Sequence, residues 1–206
     1  METNIVLFGG SDPAFLECAR VQIGAMVEGR LDQATARLRL KLFLRAQGYT
    51  PPALDGREID DFESDARLNL ILEANVEVAH SNREWNEDQH DDLLYQWPAL
   101  ELGCLNRHAD APGRWAQARG IICGGRMVAL KSDPVWERLS PFGLPYGPFD
   151  FECILTASNV DRNDWTRLNP ANARVKIRPR IRNLDDDLEC ALKRCEGILQ
   201  AWPSSP

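Results

Sequence analysis

A Lys-Ser dipeptide, Lys131-Ser132, follows a glycine pair, Gly124-Gly125, in the stretch "CGGRMVALKSDPVWERLSPFGLPYGPFDF" (123–151). It is the chain's nearest approach to a phosphate-binding loop. Such a loop needs a glycine directly before the lysine, because backbone N–H groups must wrap the phosphates. Leu130 holds that position and the glycines lie too far upstream. The same residues read more simply as a hairpin turn at Gly124-Gly125 and a helix start at Ser132-Asp133-Pro134. Cys104, His108 and Cys123 are the closest approach to a metal set, but structural zinc takes four N or S ligands, usually in paired spacings. His80, His90 and His108 read as surface or capping residues. Asp60-Asp61, Asp91-Asp92 and Asp185-Asp186-Asp187 are carboxylate runs. Acid–base work across a cleft needs carboxyls that face one another, which chain neighbours do not. These runs suit helix N-termini and solvated faces. No G-x-S-x-G, Cys–His signature or H-E-x-x-H occurs. The sequence therefore assigns no catalytic residue, no cofactor and no metal.

Charge and aromatic residues remain. Arg37, Arg39, Lys41 and Arg45 share one segment, and Arg174, Lys176, Arg178, Arg180 and Arg182 form "RVKIRPRIR". In the latter, cations alternate with Val175, Ile177 and Ile181, as in an edge strand whose charges discourage aggregation. Contact with an acidic partner or with a nucleic-acid backbone is the other reading. A formal charge of −7 argues against a general nucleic-acid binder. Trp97, Trp115, Trp136, Phe142, Tyr146, Phe149 and Phe151 are candidate packing or interface anchors.

The elements that position these residues are legible in part. "SDP" supplies an N-cap at Ser11 or Asp12 with Pro13 in the first turn, and Phe15, Leu16, Ala19, Ile23, Met26 and Val27 recur at helical spacing. In "LDQATARLRLKLFLRAQGY", Leu38, Leu40, Leu42 and Leu44 alternate with cations like a strand. The helix-forming composition, Asp32 as cap and Gly48 as stop predict a helix instead. "SDARLNLILEANVEVAH" predicts a third helix with Leu68, Ile71, Leu72, Val76 and Ala79 inward, followed by a loop and a short helix ended by Pro98. "ALELGCLN" alternates like a strand, "GRWAQARG" is a short helix, and "GIICGGRMVALK" reads as two strands about the glycine pair. "PVWERLS" is a short helix, and 140–151 is loop. "NLDDDLECALKRCEGILQAW" is an amphipathic helix, acidic early and basic late, with Leu184, Leu188, Leu192 and Ile198 on its apolar side. The expected fold is α+β: a helical N-terminal half (1–98), then a small antiparallel sheet and a C-terminal helix (99–206), in one compact unit.

At 206 residues, 44% hydrophobic and 27% charged, the chain has the balance of a globular protein. "METNIVLFGG" lacks the charge and length of a signal peptide, and no window approaches a spanning helix. A protein without a membrane segment, made and kept inside the cell, is expected. The six cysteines form no C-x-x-C pair and are expected as thiols.

Taken in order, "ARLNLILEANVEVAH", "WPALEL", "RWAQARG" and "GGRMVALKSDPVWERLSPFGLPYGPFDF" resemble part of the tailed-phage minor head proteins related to the F protein of phage Mu. The resemblance covers about Leu31 to Trp165 and is most specific at "GRMVALKSDPVW" with "PFDF". It departs after Phe151, where Glu152-Cys153-Ile154-Leu155 replaces the family's Ser-Gly-Met turn. It implies a non-enzymatic role in head morphogenesis near the portal, through contacts with portal or capsid proteins or within a homo-oligomer. The place of action would be the host cytoplasm during assembly, with the virion as a further destination. The alternatives are a toxin or enzyme domain in the divergent region, and a nucleic-acid-contacting head protein using residues 174–182.

Overall fold

The structure, a computed structural model, describes residues 12–50, 61–104, 110–149 and 155–201, with only the backbone at 196–201. The elements are α1 (Pro13–Val27), α2 (Gln33–Ala46), α3 (Asp65–Glu87), α4 (Asp91–Gln96), β1 (Ala99–Cys104), α5 (Ala111–Gln117), β2 (Val128–Leu130), α6 (Val135–Leu139), β3 (Leu155–Val160), α7 (Arg162–Leu168) and α8 (Leu184–Ala201), with a 3-10 turn at Pro170–Asn172. The fold is α+β, with a three-stranded antiparallel sheet between a helical N-terminal region and a C-terminal helix. Contacts divide the chain into Met1–Ala79 with Leu188–Pro206, and His80–Asp187. This partition does not follow the 1–98 and 99–206 division. It cuts α3 and α8, because the C-terminal part of α3 packs among residues of the sheet-bearing unit.

In the first unit, Asp12 caps α1 by accepting the Ala14 N–H at 3.0 Å, as "SDP" predicts. The helix ends at Gly29, whose φ of 70° suits glycine, and Arg30 N–H reaches back to the Ala25 carbonyl at 2.9 Å. Asp32 caps α2 through Thr35 N–H at 2.9 Å. Its bonds to the Thr35 hydroxyl and amide hold its carboxyl below the usual range. The α2 leucines resolve into two i, i+4 pairs. Leu40 and Leu44 are buried, while Leu38 and Leu42 are each 55% exposed. The strand-like alternation is thus a helix with apolar residues on opposite faces.

The helical basic patch is matched within its own unit. Arg37 donates to Asn69 Oδ1 at 2.9 Å and Arg39 to Gln22 Oε1 at 3.3 Å. Lys41 pairs with Asp65, and Arg45 with the buried Glu63 at 2.5 Å. On α3, Leu68, Ile71, Leu72, Val78 and Ala79 are buried. Val78 takes the inward place expected of Val76. Leu188, Ala191, Leu192 and Cys195 line the buried side of α8, whereas Leu184 is 36% exposed; the Ile198 side chain lies outside the described residues.

In the second unit, β1 is the central strand, with Ala99 opposite Leu130 of β2 and opposite Val160 of β3. Ala99, Val128, Val160 and Trp165 form the core under one face, flanked by Leu130 and Leu168. Four expectations are corrected here. The third strand comes from "LTASNV", not from "RVKIRPRIR". The hairpin turn exists, with Gly124 and Gly125 at φ 57° and 80° and reciprocal bonds between Cys123 and Arg126. Its upstream arm forms only that one bridge, because β2 spends its ladder on β1. Helix α3 runs on to Glu87, since nothing in "SNREWNE" breaks a helix and Asn82 and Trp85 are buried. Helix α7 had no sequence forecast; Asp161 caps it by accepting the Asn163 and Asp164 N–H groups at 2.8 and 2.9 Å.

Candidate functional site

The aromatic candidates are core. Trp115, Trp136, Phe142, Tyr146 and Phe149 are all buried. The Trp115 and Trp136 rings meet edge-on at 5.3 Å, and Trp136 lies 6.1 Å from Phe149. Their polar handles are satisfied locally: Trp136 Nε1 donates to the Leu130 carbonyl at 2.9 Å and Trp115 Nε1 to that of Ile121 at 3.3 Å. Trp97 is half-buried, and Phe151 lies outside the described residues. The exposed apolar residues of this unit are ones sequence reasoning passed over. Ile121 is 76% and Ile122 53% exposed.

These isoleucines sit on a tightly fixed arm. On one side Arg119 adopts φ 63° and Gly120 lies so close to Trp115 that a Cβ would come within 2.2 Å of the ring. Arg138 also grips the Ala118 carbonyl at 2.6 Å. On the other side is the Cys123–Arg126 turn, with Arg126 bonded to Glu101 at 2.8 and 2.5 Å and to Asp164 at 3.3 Å. That bond to Arg126 holds the Glu101 carboxyl below its ordinary range. The pattern "GIICGG" had been assigned to a buried strand arm, so the signal was there and was given the wrong environment.

The basic segment separates into two sets. Arg180 and Arg182 are structural. Arg180 N–H donates to Gln89 Oε1 at 3.0 Å and its carbonyl accepts Trp85 Nε1 at 2.9 Å. Arg182 N–H donates to Asn86 Oδ1 at 2.9 Å and its carbonyl accepts Asn86 Nδ2 at 2.9 Å. Helix side chains thus supply the partners that a neighbouring strand would offer, which is why a two-residue period appears here without a sheet. Arg180 also pairs with Glu137 at 2.5 Å. Arg182 clasps the buried Asp187 at 2.6 and 2.9 Å, and Asp187 further accepts from Asn82 at 2.9 Å and from the Tyr146 hydroxyl. Burial, and then the bond to Asp187, pushes the Tyr146 phenol well above its usual range.

Arg174, Lys176 and Arg178 differ. All three are exposed, and no ion pair or side-chain hydrogen bond engages them among the described residues. Burial alternates along them, with Val175 half-buried and Ile177 buried. Arg174 and Lys176 line a groove of about 620 Å³ together with Asp91, Asp92, Leu94, Tyr95, Arg162, Thr166, Ala173, Val175 and Ile177. Arg162, unflagged by the sequence, staples the groove. It donates to the carbonyls of Tyr95 at 2.9 Å, Ala173 at 3.2 Å, Val175 at 3.1 Å and Leu94 at 3.4 Å, and it stands 5.2 Å over the Tyr95 ring. With its donors spent on backbone, it positions walls rather than handling a substrate.

Lys131 is 1% exposed and bonded to Asp88 at 2.7 Å; Asn159 joins the same carboxylate at 3.2 Å. Burial pushes its ammonium below the ordinary range. A side chain so placed is out of reach of a phosphate. Among the described residues no group of three His, Cys, Asp or Glu side chains is arranged to hold a metal ion. Cys104 is exposed and His108 lies outside the described residues. No described helix is long and apolar enough to cross a membrane. What the unit offers to other molecules is a stapled groove with separated charges, and a rigid apolar arm. Comparison of the chain with protein-family models, with curated proteins and with solved structures yields no match.

Proposed function

We propose that the protein works without catalysis, as a contact protein in tailed-phage head morphogenesis, docking on portal or capsid proteins. The observation that carries the contact role is the arm bearing Ile121 and Ile122, 76% and 53% exposed and held at both ends by specific bonds. Leaving a large aliphatic side chain in water forgoes about 1.5–3 kcal/mol. Fixing it there in advance lowers the ordering cost of binding. The head-assembly assignment rests on the resemblance at "GRMVALKSDPVW". Most of the residues behind it form the core in which the arm is anchored: Trp136, Phe142 and Phe149 are buried.

The test is co-expression of the tagged chain with the portal and capsid genes of the phage that encodes it. Co-purification with the portal ring is expected, and its loss in Ile121→Asp/Ile122→Asp with the fold intact. A chain that purifies away from both portal and capsid protein refutes the assignment. Co-purification unchanged in the double variant refutes the role of the arm.

A further inference from the structure

The groove beside α4 carries an unusual arrangement of charge. Asp91 and Asp92 line it together with Arg174 and Lys176, yet none of the four forms an ion pair among the described residues. Exposed side chains of opposite sign along one cleft ordinarily find each other when the geometry allows; here they stand apart across an apolar floor that includes Leu94, Val175 and Ile177. The cationic row continues to Arg178, so its members fall at every second residue. In an extended chain that spacing is about 7 Å, the same repeat with which an extended peptide presents its own alternate side chains. The volume, about 620 Å³, lies in the range of ligand sites of roughly 300–1,000 Å³.

We propose that this groove binds an extended peptide segment of a partner protein, with acidic side chains at alternate positions facing Arg174, Lys176 and Arg178 and intervening apolar side chains on the floor. Charge and period select this occupant together. A nucleic-acid strand would match the cations but would set its phosphates against Asp91 and Asp92 in a chain of net charge −7. The proposal deepens the contact reading by naming a partner chemistry. Its test uses no phage component, so its failure is distinguishable from failure of the portal co-purification.

The experiment is fluorescence anisotropy at low ionic strength, using the full chain and a labelled peptide in which Glu and Val alternate. A peptide of the same composition with its Glu residues in one block is the period control, and an oligothymidylate is the nucleic-acid control. Saturable binding of the alternating peptide is expected, tighter than that of the blocked one and falling with salt. The combined Arg174→Ala, Lys176→Ala and Arg178→Ala variant should bind about tenfold more weakly. Asp91→Asn/Asp92→Asn should bind more tightly, because repulsion is relieved. The proposal is overturned if the alternating peptide does not bind, binds no better than the blocked one, or binds the triple variant equally. It is also overturned if only the oligothymidylate binds.

Discussion

Asp187→Ala tests the polar centre that anchors the segment leading into α8. Asp187 is 1% exposed. It receives Arg182 Nη2 at 2.6 Å and Nε at 2.9 Å, Asn82 Nδ2 at 2.9 Å, and the Tyr146 hydroxyl. Removing it strands a cation and two neutral donors. Breaking a buried ion pair by deleting one partner costs about 3–5 kcal/mol. The Arg182 side chain is 29% exposed, so water recovers part of its solvation and the lower end applies, about 3 kcal/mol. Asn82 and Tyr146 are 4% and 5% exposed, and each loses a bond worth about 1 kcal/mol. The expected loss is therefore about 4–5 kcal/mol. Urea denaturation followed by tryptophan fluorescence reads it directly, because Trp85, Trp97, Trp115, Trp136 and Trp165 all lie in this unit. With a slope of about 1–3 kcal/mol/M, the midpoint should fall by roughly 2 M. Tyr146→Phe, which removes one donor, should cost about 1 kcal/mol. If Asp187→Ala costs no more than the exposed Asp92→Ala, the reasoning is refuted.

Gly120→Ala would drive a Cβ to 2.2 Å from the buried Trp115 ring and should cost about 1–3 kcal/mol in the same urea assay. Lys131→Met should be neutral or stabilising, since it removes a buried charge of similar shape, whereas Asp88→Ala should cost about 3 kcal/mol by leaving that charge unmatched. The Glu101 carboxyl is held low by its hydrogen bond to Arg126 and by the attached charge. Stability from this pair is fully present above the unfolded carboxyl value, about 4.3, and is lost as pH falls through the lower folded value. Glu101→Gln should flatten the acid limb of the midpoint-versus-pH curve below about pH 4.3, and an unchanged limb would contradict the pairing.

The helices were legible where local chemistry decides them. Asp12, Asp32 and Gly48 act as caps or stops, and helix-forming composition outweighed the strand-like alternation of the α2 leucines. The strands were legible only where one side is apolar. "ALELGC" buries Leu100 and Leu102 and was seen. "LTASNV" buries only its ends and left no pattern to read. "RVKIRPRIR" has strand period for a different reason. Its period answers Asn86 and Gln89 on a helix, and nothing in the segment itself says whether its backbone partners are a strand or side-chain amides. The groove was half legible: Arg174 and Lys176 were flagged as contacts. Arg162 was not, because a staple that bonds only to carbonyls has no motif.

The cations flagged in the sequence now sort by whether the fold uses them. Arg37, Arg39, Lys41 and Arg45 are matched within the first unit, and Arg180 and Arg182 within the second. Arg174, Lys176 and Arg178 are exposed and engage nothing among the described residues. Edge protection does not account for them, because the sheet's edges are β2 and β3 and the segment belongs to neither. If the fold makes no use of them, replacing all three by alanine should change stability by less than about 0.5 kcal/mol per position, as for surface substitutions elsewhere. The urea midpoint of the triple variant measures this. A fall as large as that of Asp187→Ala would make the row structural and remove its availability to a partner. An unchanged midpoint leaves contact as the use to which three cations at alternate positions are put.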